Sequence, residues 1–243
     1  MKVFSKNIFG QYLLIKKLVI IIIGFISYHR FNKLKIKGSD NIRSLPDNNV
    51  LFVSNHQTYF ADAAAMLHVF NSAINGGVNT IKDLRYLFKL KLNIYFIAAK
   101  ETMESGILTR ILSYAGSISI QRTWRLEGKS INRKINKDDV GNVAKALKDG
   151  WVITFPQGTT TPFSPVRKGT AHIIKNNQPV VVPVVIDGFR EAFDKKGLFV
   201  RNKNTRKTLI IKKPLNIDYH NESINDIVGK ISCAIEQNRD EKY

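Results

Sequence analysis

His56 and Asp62 frame the run His56-Gln57-Thr58-Tyr59-Phe60-Ala61-Asp62, which follows the apolar run Val50-Leu51-Phe52-Val53 and the pair Ser54-Asn55. A histidine titrates near neutral pH, and a nearby carboxylate can fix its tautomer and stabilise its protonated form. That pairing is the equipment of a general base. Two other polar segments end on apolar runs. Gly116-Ser117-Ile118-Ser119-Ile120-Gln121-Arg122 brings an arginine to a strand end, and Phe155-Pro156-Gln157-Gly158-Thr159-Thr160-Thr161 is followed by Arg167-Lys168-Gly169. Taken singly, each has a plainer reading: a structural histidine, a solvated arginine, an ordinary turn. Together a base, a fixed cation and a loop rich in backbone donors form a natural site for an anionic substrate bearing a reactive hydroxyl.

The elements that must position these residues follow from periodicity. Residues 33–37 alternate as a half-exposed edge strand, and residues 50–53 read as a buried strand. An Ala-rich helix follows over 62–70, a strand over 93–98, a helix over 105–114 and a short strand over 117–120. Residues 123–139 are polar, basic and aperiodic, which predicts a loop. A helix over 140–148, a strand over 151–155, a turn-rich loop over 156–165 and a short helix over 168–175 come next. Residues 180–186 form an apolar, β-branched run suited to a central strand. A strand over 208–211 and an amphipathic helix over 223–237 close the chain. The alternation predicts an α/β fold: a mixed, largely parallel sheet flanked by helices, with polar loops at strand ends where open sheets hold their ligands.

At 243 residues, 44% of them hydrophobic, the chain can bury one full core and does not read as a polytopic membrane protein. Thirty-eight Lys and Arg against nineteen Asp and Glu give a net charge of +19, which calls for a polyanionic partner or surface. A single cysteine, Cys233, excludes disulfide frameworks and cysteine-based metal sites and reads as intracellular.

The N-terminal stretch divides the chain into a membrane-associated helical segment, 1–31, and a catalytic domain, 32–243. Residues 18–27 are strongly apolar but about half the length that spans a bilayer. Extending the stretch back to Ile8 puts Lys16 and Lys17 near its midpoint, at about 2.5–3.5 kcal/mol each. The reading is a helix embedded in one leaflet, with Lys16, Lys17 and Arg30 snorkelling to head groups. An ordinary buried helix is the alternative.

Asn55-His56, Gly116-x-Ile118-x-Ile120-x-Arg122, Phe155-Pro156-Gln157-Gly158-Thr159 and Pro179-Val180-Val181-Val182-Pro183-Val184 occur in the order and approximate spacing of four blocks. In this the chain resembles, from about Gly38 to Gly188, the glycerophospholipid acyltransferase family of 1-acylglycerol-3-phosphate acyltransferase-like (PlsC-type) enzymes. The resemblance implies that His56 deprotonates an acceptor hydroxyl, which attacks an acyl thioester, while Asp62 orients the imidazole. It assigns the acceptor's phosphate to Arg122 and further acceptor contacts to Gln157, Gly158 and Thr159, with Asn55 as an additional binding residue. Arg167 and Lys168 add positive charge nearby as further binding candidates, with a solvated surface as their plainer reading. The fourth block is expected as sheet core lining the acyl side. No metal, cofactor or covalent enzyme intermediate is implied.

The chain departs from the family pattern twice. Five residues separate His56 from Asp62 where the family has four; in a continuous helix one insertion would turn the aspartate by about 100°. A bulged loop over 57–61 is expected to restore the contact. Gln157 stands where the family generally has glutamate, and it can hydrogen-bond an acceptor without charge.

These readings converge on a membrane-associated O-acyltransferase acting on a lysophospholipid, first of all 1-acylglycerol-3-phosphate to give phosphatidic acid. The acyl donor would be acyl-CoA or acyl carrier protein. The basic charge would hold it to the cytoplasmic face of an anionic membrane, peripheral or monotopic, at roughly 1 kcal/mol per basic residue near the surface. Alternatives are another acceptor such as a lyso-aminolipid, a lipid-binding protein without catalysis, or a basic nucleic-acid-binding protein. The last lacks any nucleic-acid-binding module, so no nucleic-acid partner is expected.

Overall fold

The computed structural model describes residues 5–31, 33–121, 125–126, 129–130 and 136–238. Strands β1 (Leu34–Lys37), β2 (Val50–Ser54), β3 (Ile94–Ala99), β4 (Ser117–Ile120), β5 (Trp151–Thr154), β6 (Val180–Asp187) and β7 (Lys207–Ile211) form one sheet in the order β1-β7-β6-β2-β5-β3-β4. The pairs β6–β2, β2–β5, β5–β3 and β3–β4 are parallel, as is β1–β7, whereas β6–β7 is antiparallel. The sheet is therefore mixed and largely parallel, as the alternation predicts. Its two outer strands on one side run against the other five.

The helices cover both faces. On one lie α1 (Leu13–Arg30) and α2 (Ala61–Ile74), and Val50, Phe52, Ile153, Val182 and Val184 point toward them in one apolar cluster. On the other lie α4 (Lys137–Asp149), α5 (Lys168–Asn177) and α7 (Ile224–Ala234). Leu51, Val53, Val152 and Val181 face that side in a second cluster. A strand covered on both faces needs apolar residues at successive positions, not at alternate ones. This is why β2, β5 and β6 read as continuous apolar runs. In β1, at the sheet edge, Lys35 and Lys37 are exposed while Ile36 is buried, and edge lysines discourage further strand pairing.

The chain leaves β6 through Gly188, whose φ is +75° and whose added Cβ would stand 2.1 Å from Arg206 O just before β7. Only glycine fits so close a backbone approach at positive φ. Past it runs the short helix α6 (Phe189–Ala192) and a long connection before β7. Helix α3 (Ile107–Ser113) precedes β4, and the short helical turns Asp40–Arg43, Leu84–Phe88 and Lys100–Met103 lie in the connections.

Two expectations about the basic stretch 123–139 are corrected. Arg125–Leu126 pairs antiparallel with Lys129–Ser130, and α4 begins already at Lys137, where the Asn136 side chain accepts from Asp138 N. Asn136 thus supplies the cap that ends the loop early.

Helix α1 also corrects the sequence reading. Lys16 does not reach outward: it is fully buried, its Nζ donating to Ile94 O at 3.1 Å and lying 4.3 Å from the centroid of the Tyr95 ring. Burial lowers its pKa to about 7, with nearby Asp149 opposing the shift. Val19 and Ile20 are buried beside it, whereas Ile15, Leu18, Ile22, Phe25 and Ile26 are exposed along the opposite stripe. Lys17 Nζ bonds Phe88 O, and the Arg30 side chain lies outside the described residues. Among the described residues no helix is long and apolar enough to cross a membrane.

Candidate active site

The segment after β2 does not continue as helix. Residues 57–60 bend, α2 starts at Ala61, and Asp62 falls in its first turn. The extra residue is absorbed in that bend. His56 Nδ1 lies 2.8 Å from Asp62 Oδ2. The carboxylate is fully buried and accepts three further hydrogen bonds, from Gln57 N (2.6 Å) and Thr58 N (3.0 Å) on Oδ2 and from Thr58 Oγ1 (2.7 Å) on Oδ1. A carboxylate only accepts, so His56 Nδ1 carries the proton and Nε2 is left as the basic nitrogen.

Phe155, just beyond β5, stacks on the His56 ring at a centroid distance of 3.9 Å and 19° between planes. The imidazole is thereby fixed in two directions: by the carboxylate along its edge and by the phenyl ring across its face. The ring is 13% exposed and borders a cavity of about 670 Å³. Ala98 and Ala99 from β3, Ile120 from β4 and Thr154 from β5 also line it. All stand at the carboxyl ends of parallel strands, the position at which open α/β sheets bind ligands.

The other expected site residues divide. Gly158, Arg167 and Lys168 line the cavity, with Arg167 and Lys168 exposed at its rim beside the start of α5. Asn55 does not. Its Nδ2 donates to Ile186 O and its Oδ1 accepts from Ile186 N, both at 2.8 Å, so it fastens the exit of β2 to β6 and is no substrate contact. Gln157 is likewise turned away: it is buried, and its Nε2 donates to Ser164 O at 2.7 Å and Gln237 Oε1 at 3.1 Å. Thr159 Oγ1 bonds within its own loop, to Thr161. The fourth block, in β6, is buried between the two helical layers and forms no part of the cavity wall. Arg122 lies outside the described residues.

Three contributors escaped the sequence reading. Thr58 serves Asp62 from main chain and side chain, a role signalled only by threonine ahead of a helix start. Gln57 Oε1 accepts from Phe189 N and Arg190 N, joining the bend to the turn after β6. The connection between α6 and β7 gives the carbonyls of Lys195 and Lys196 to Tyr59 N and Phe60 N, which no local pattern reveals. A second, apolar cavity of about 270 Å³ adjoins the start of α2, with Phe60, Ala61, Phe96, Leu108, Leu198 and Phe199 among its walls. Phe96 lines both cavities.

Among solved structures, the fold is similar to that of the 1-acyl-sn-glycerophosphate (LPA) acyltransferase PlsC from Thermotoga maritima. The two share 18% sequence identity and a TM-score of 0.53, over 93% of this chain and 79% of that chain. No curated protein sequence matches. The sequence profile described as Acyltransferase matches residues 33–187, a span that holds His56, Asp62, the loop after β5 and the whole of β6. With more than half of its length matched by that profile, the chain belongs to the acyltransferase family.

Proposed function

We propose that this acyltransferase moves a fatty acyl group from acyl-CoA or acyl carrier protein to the hydroxyl of a lysophospholipid, with 1-acylglycerol-3-phosphate as the first acceptor to test. The observation that carries the reading is the His56–Asp62 pair, 2.8 Å apart, at the edge of the 670 Å³ cavity. In this scheme His56 Nε2 takes the proton of the acceptor hydroxyl. The oxygen attacks the thioester carbonyl, the carbon–sulfur bond breaks, and the departing thiolate takes the proton back from the imidazolium. Asp62 keeps the ring in the right tautomer and offsets its transient charge.

The apolar second cavity suits an acyl chain, and the cations Arg167 and Lys168 suit the phosphate of acceptor or donor. The exposed apolar stripe of α1, with Ile107, Leu108 and Ile111 exposed on α3, would lie against a bilayer at its cytoplasmic face. There the +19 charge favours anionic lipid. Gln157 is buried and faces away from the cavity, so its departure from the family's glutamate lends the lyso-aminolipid alternative no support.

The test is an acyl-transfer assay on purified protein in lipid, crossing acyl-CoA and acyl carrier protein donors with lysophosphatidate and lyso-aminolipids. Transfer to lysophosphatidate with either donor supports the reading. Transfer only to lyso-aminolipids, or to no acceptor, rejects it.

A further inference from the structure

The loop between β5 and α5 meets the cavity at both ends. Phe155, Pro156 and Gly158 line it from one end, and Arg167 and Lys168 from the other. Arg167 N donates to Pro156 O at 2.9 Å and Gly158 N to Phe155 O at 2.9 Å, which closes the loop at its neck. Gln157 ties it across the middle. Its Nε2 gives one hydrogen to Ser164 O and the other to Gln237 Oε1, and Gln237 Oε1 also accepts from Phe163 N at 2.8 Å.

The far partner is itself held. Past the end of α7, Glu236 takes a positive φ of 57°, and Gln237 N donates back to Ser232 O at 3.0 Å. This is a left-handed helix termination that fixes where the next side chain points. Glu236 is anchored in turn by Lys212 at 2.9 Å.

Ser164 O is a carbonyl and only accepts, so the Gln157 amide must present its nitrogen there. A glutamate at this position would set a carboxylate oxygen against two acceptors in a buried place, leaving Ser164 O without its donor and Gln237 Oε1 with Phe163 N alone. Resting on the acyltransferase reading above, we propose that Gln157 and Gln237 are positioning residues for the cavity. Through them the C-terminal helix sets the shape of the loop that carries Phe155, Gly158, Arg167 and Lys168. Glutamine, where the resemblance leads one to expect glutamate, is then matched to Gln237 in this chain and is not a ligand of the acceptor.

The test is the kinetics of Gln157→Glu, Gln157→Ala, Gln237→Ala and the double alanine variant, together with hydrogen exchange at the Phe163 amide without substrate. Gln157→Glu is expected to raise the acceptor KM roughly tenfold at neutral pH, the scale of leaving buried acceptors unserved. Its KM should fall back as the pH is lowered and the introduced carboxyl gains a proton to donate, a trend the parent should not share. The two alanine variants should each raise KM, and the double variant little more than either alone. Phe163 exchange should quicken in Gln237→Ala and in Gln157→Ala. Parent-like KM for Gln157→Glu at every pH, or independent effects of the two alanines, would overturn the proposal. Should the parent transfer no acyl group to any acceptor, exchange decides: unchanged Phe163 protection in both alanine variants refutes the tie, and faster exchange upholds it.

Discussion

Gly197 lies so close to Thr58 that a β-carbon at Gly197 would stand 2.8 Å from Thr58 Oγ1 and 2.6 Å from the Ala61 nitrogen. Its φ is +75°, so a side chain is excluded by conformation as well as by space. The hydroxyl it would displace is the one that donates to Asp62 Oδ1. Gly197→Ala is expected to lower kcat about tenfold or more, through a shift of the kind that costs badly aligned catalytic groups dearly. An unchanged kcat in a folded variant, checked by circular dichroism, would show that the bend tolerates displacement.

The dyad makes the strongest kinetic prediction. In the proposed mechanism His56→Ala removes the base, and Asp62→Asn removes the negative charge that offsets the imidazolium. Each is expected to lower kcat by about 10²–10⁴-fold, the usual contribution of general-base catalysis. The amide of Asp62→Asn can keep its oxygen on the His56, Gln57 and Thr58 N–H donors and turn its nitrogen to the Thr58 hydroxyl, so neither variant should change the melting temperature much. Full activity in Asp62→Asn would remove the aspartate from the mechanism.

Lys16 predicts an alkaline gain in stability. Its folded pKa of about 7 lies below the ordinary 10.5 because burial disfavours the charged form. Between those values the unfolded chain holds the extra proton, so stability rises with pH from about 7 to 10.5, by an amount on the order of a few kcal/mol. Lys16→Met should flatten that slope and leave the protein at least as stable as the parent at pH 7, as read by urea denaturation across the range. A slope kept in Lys16→Met would assign it to another group.

His68 predicts an acid loss. It is fully buried on α2, bonded through Nδ1 to the Tyr86 hydroxyl at 3.1 Å, and its Nε2 has no partner among the described residues. Burial lowers its pKa to about 4 from 6.5. The unfolded chain is then the better proton acceptor between those values, so stability falls as the pH drops through that window, by about 3 kcal/mol at most. His68→Gln, which can still pair with Tyr86, should weaken the acid dependence measured by thermal melts from pH 7 to 4.

The apolar stripe on α1 predicts lipid binding. Ile22 and Phe25 are each more than half exposed, so glutamate at both should leave the fold intact. It should weaken sedimentation with anionic vesicles by roughly tenfold, from lost apolar burial and added repulsion. Binding equal to the parent would direct the search for the lipid surface elsewhere.

Much of this arrangement is written in local pattern. Residues 50–53 and 180–186 are apolar at every position because both faces of β2 and β6 are covered, and covered strands can be read from composition alone. His56 and Asp62 could be paired from sequence because the resemblance implies such a pair and no other acid lies within the local segment. What escaped lies in contacts made far along the chain. The Gln157 amide could not be aimed without its partner eighty residues on, and Asn55 gave no sign that Ile186 held it. The carbonyls of Lys195 and Lys196 support the bend through a connection with no period of its own. The reversed direction of β7 follows a long connection after β6, and a short apolar strand reads the same in either direction. Lys16 misled because charge near the middle of an apolar helix suggests a water or lipid surface, whereas here a carbonyl and an aromatic ring receive it.

The buried amine of Lys16 has a consequence for how the N-terminal segment can be treated. Its contacts reach Ile94 and Tyr95 at the start of β3, and the hydroxyl of Tyr95 donates to Asp149 at the end of α4. Cutting the chain after residue 31 would strip a cover from the sheet and leave that carbonyl and ring open to water. The segment is a structural rib of the enzyme whose outer flank is exposed. Removing it to obtain a more tractable protein would destabilise the sheet end opposite the catalytic cavity, so lost activity in such a truncation would say nothing about membranes.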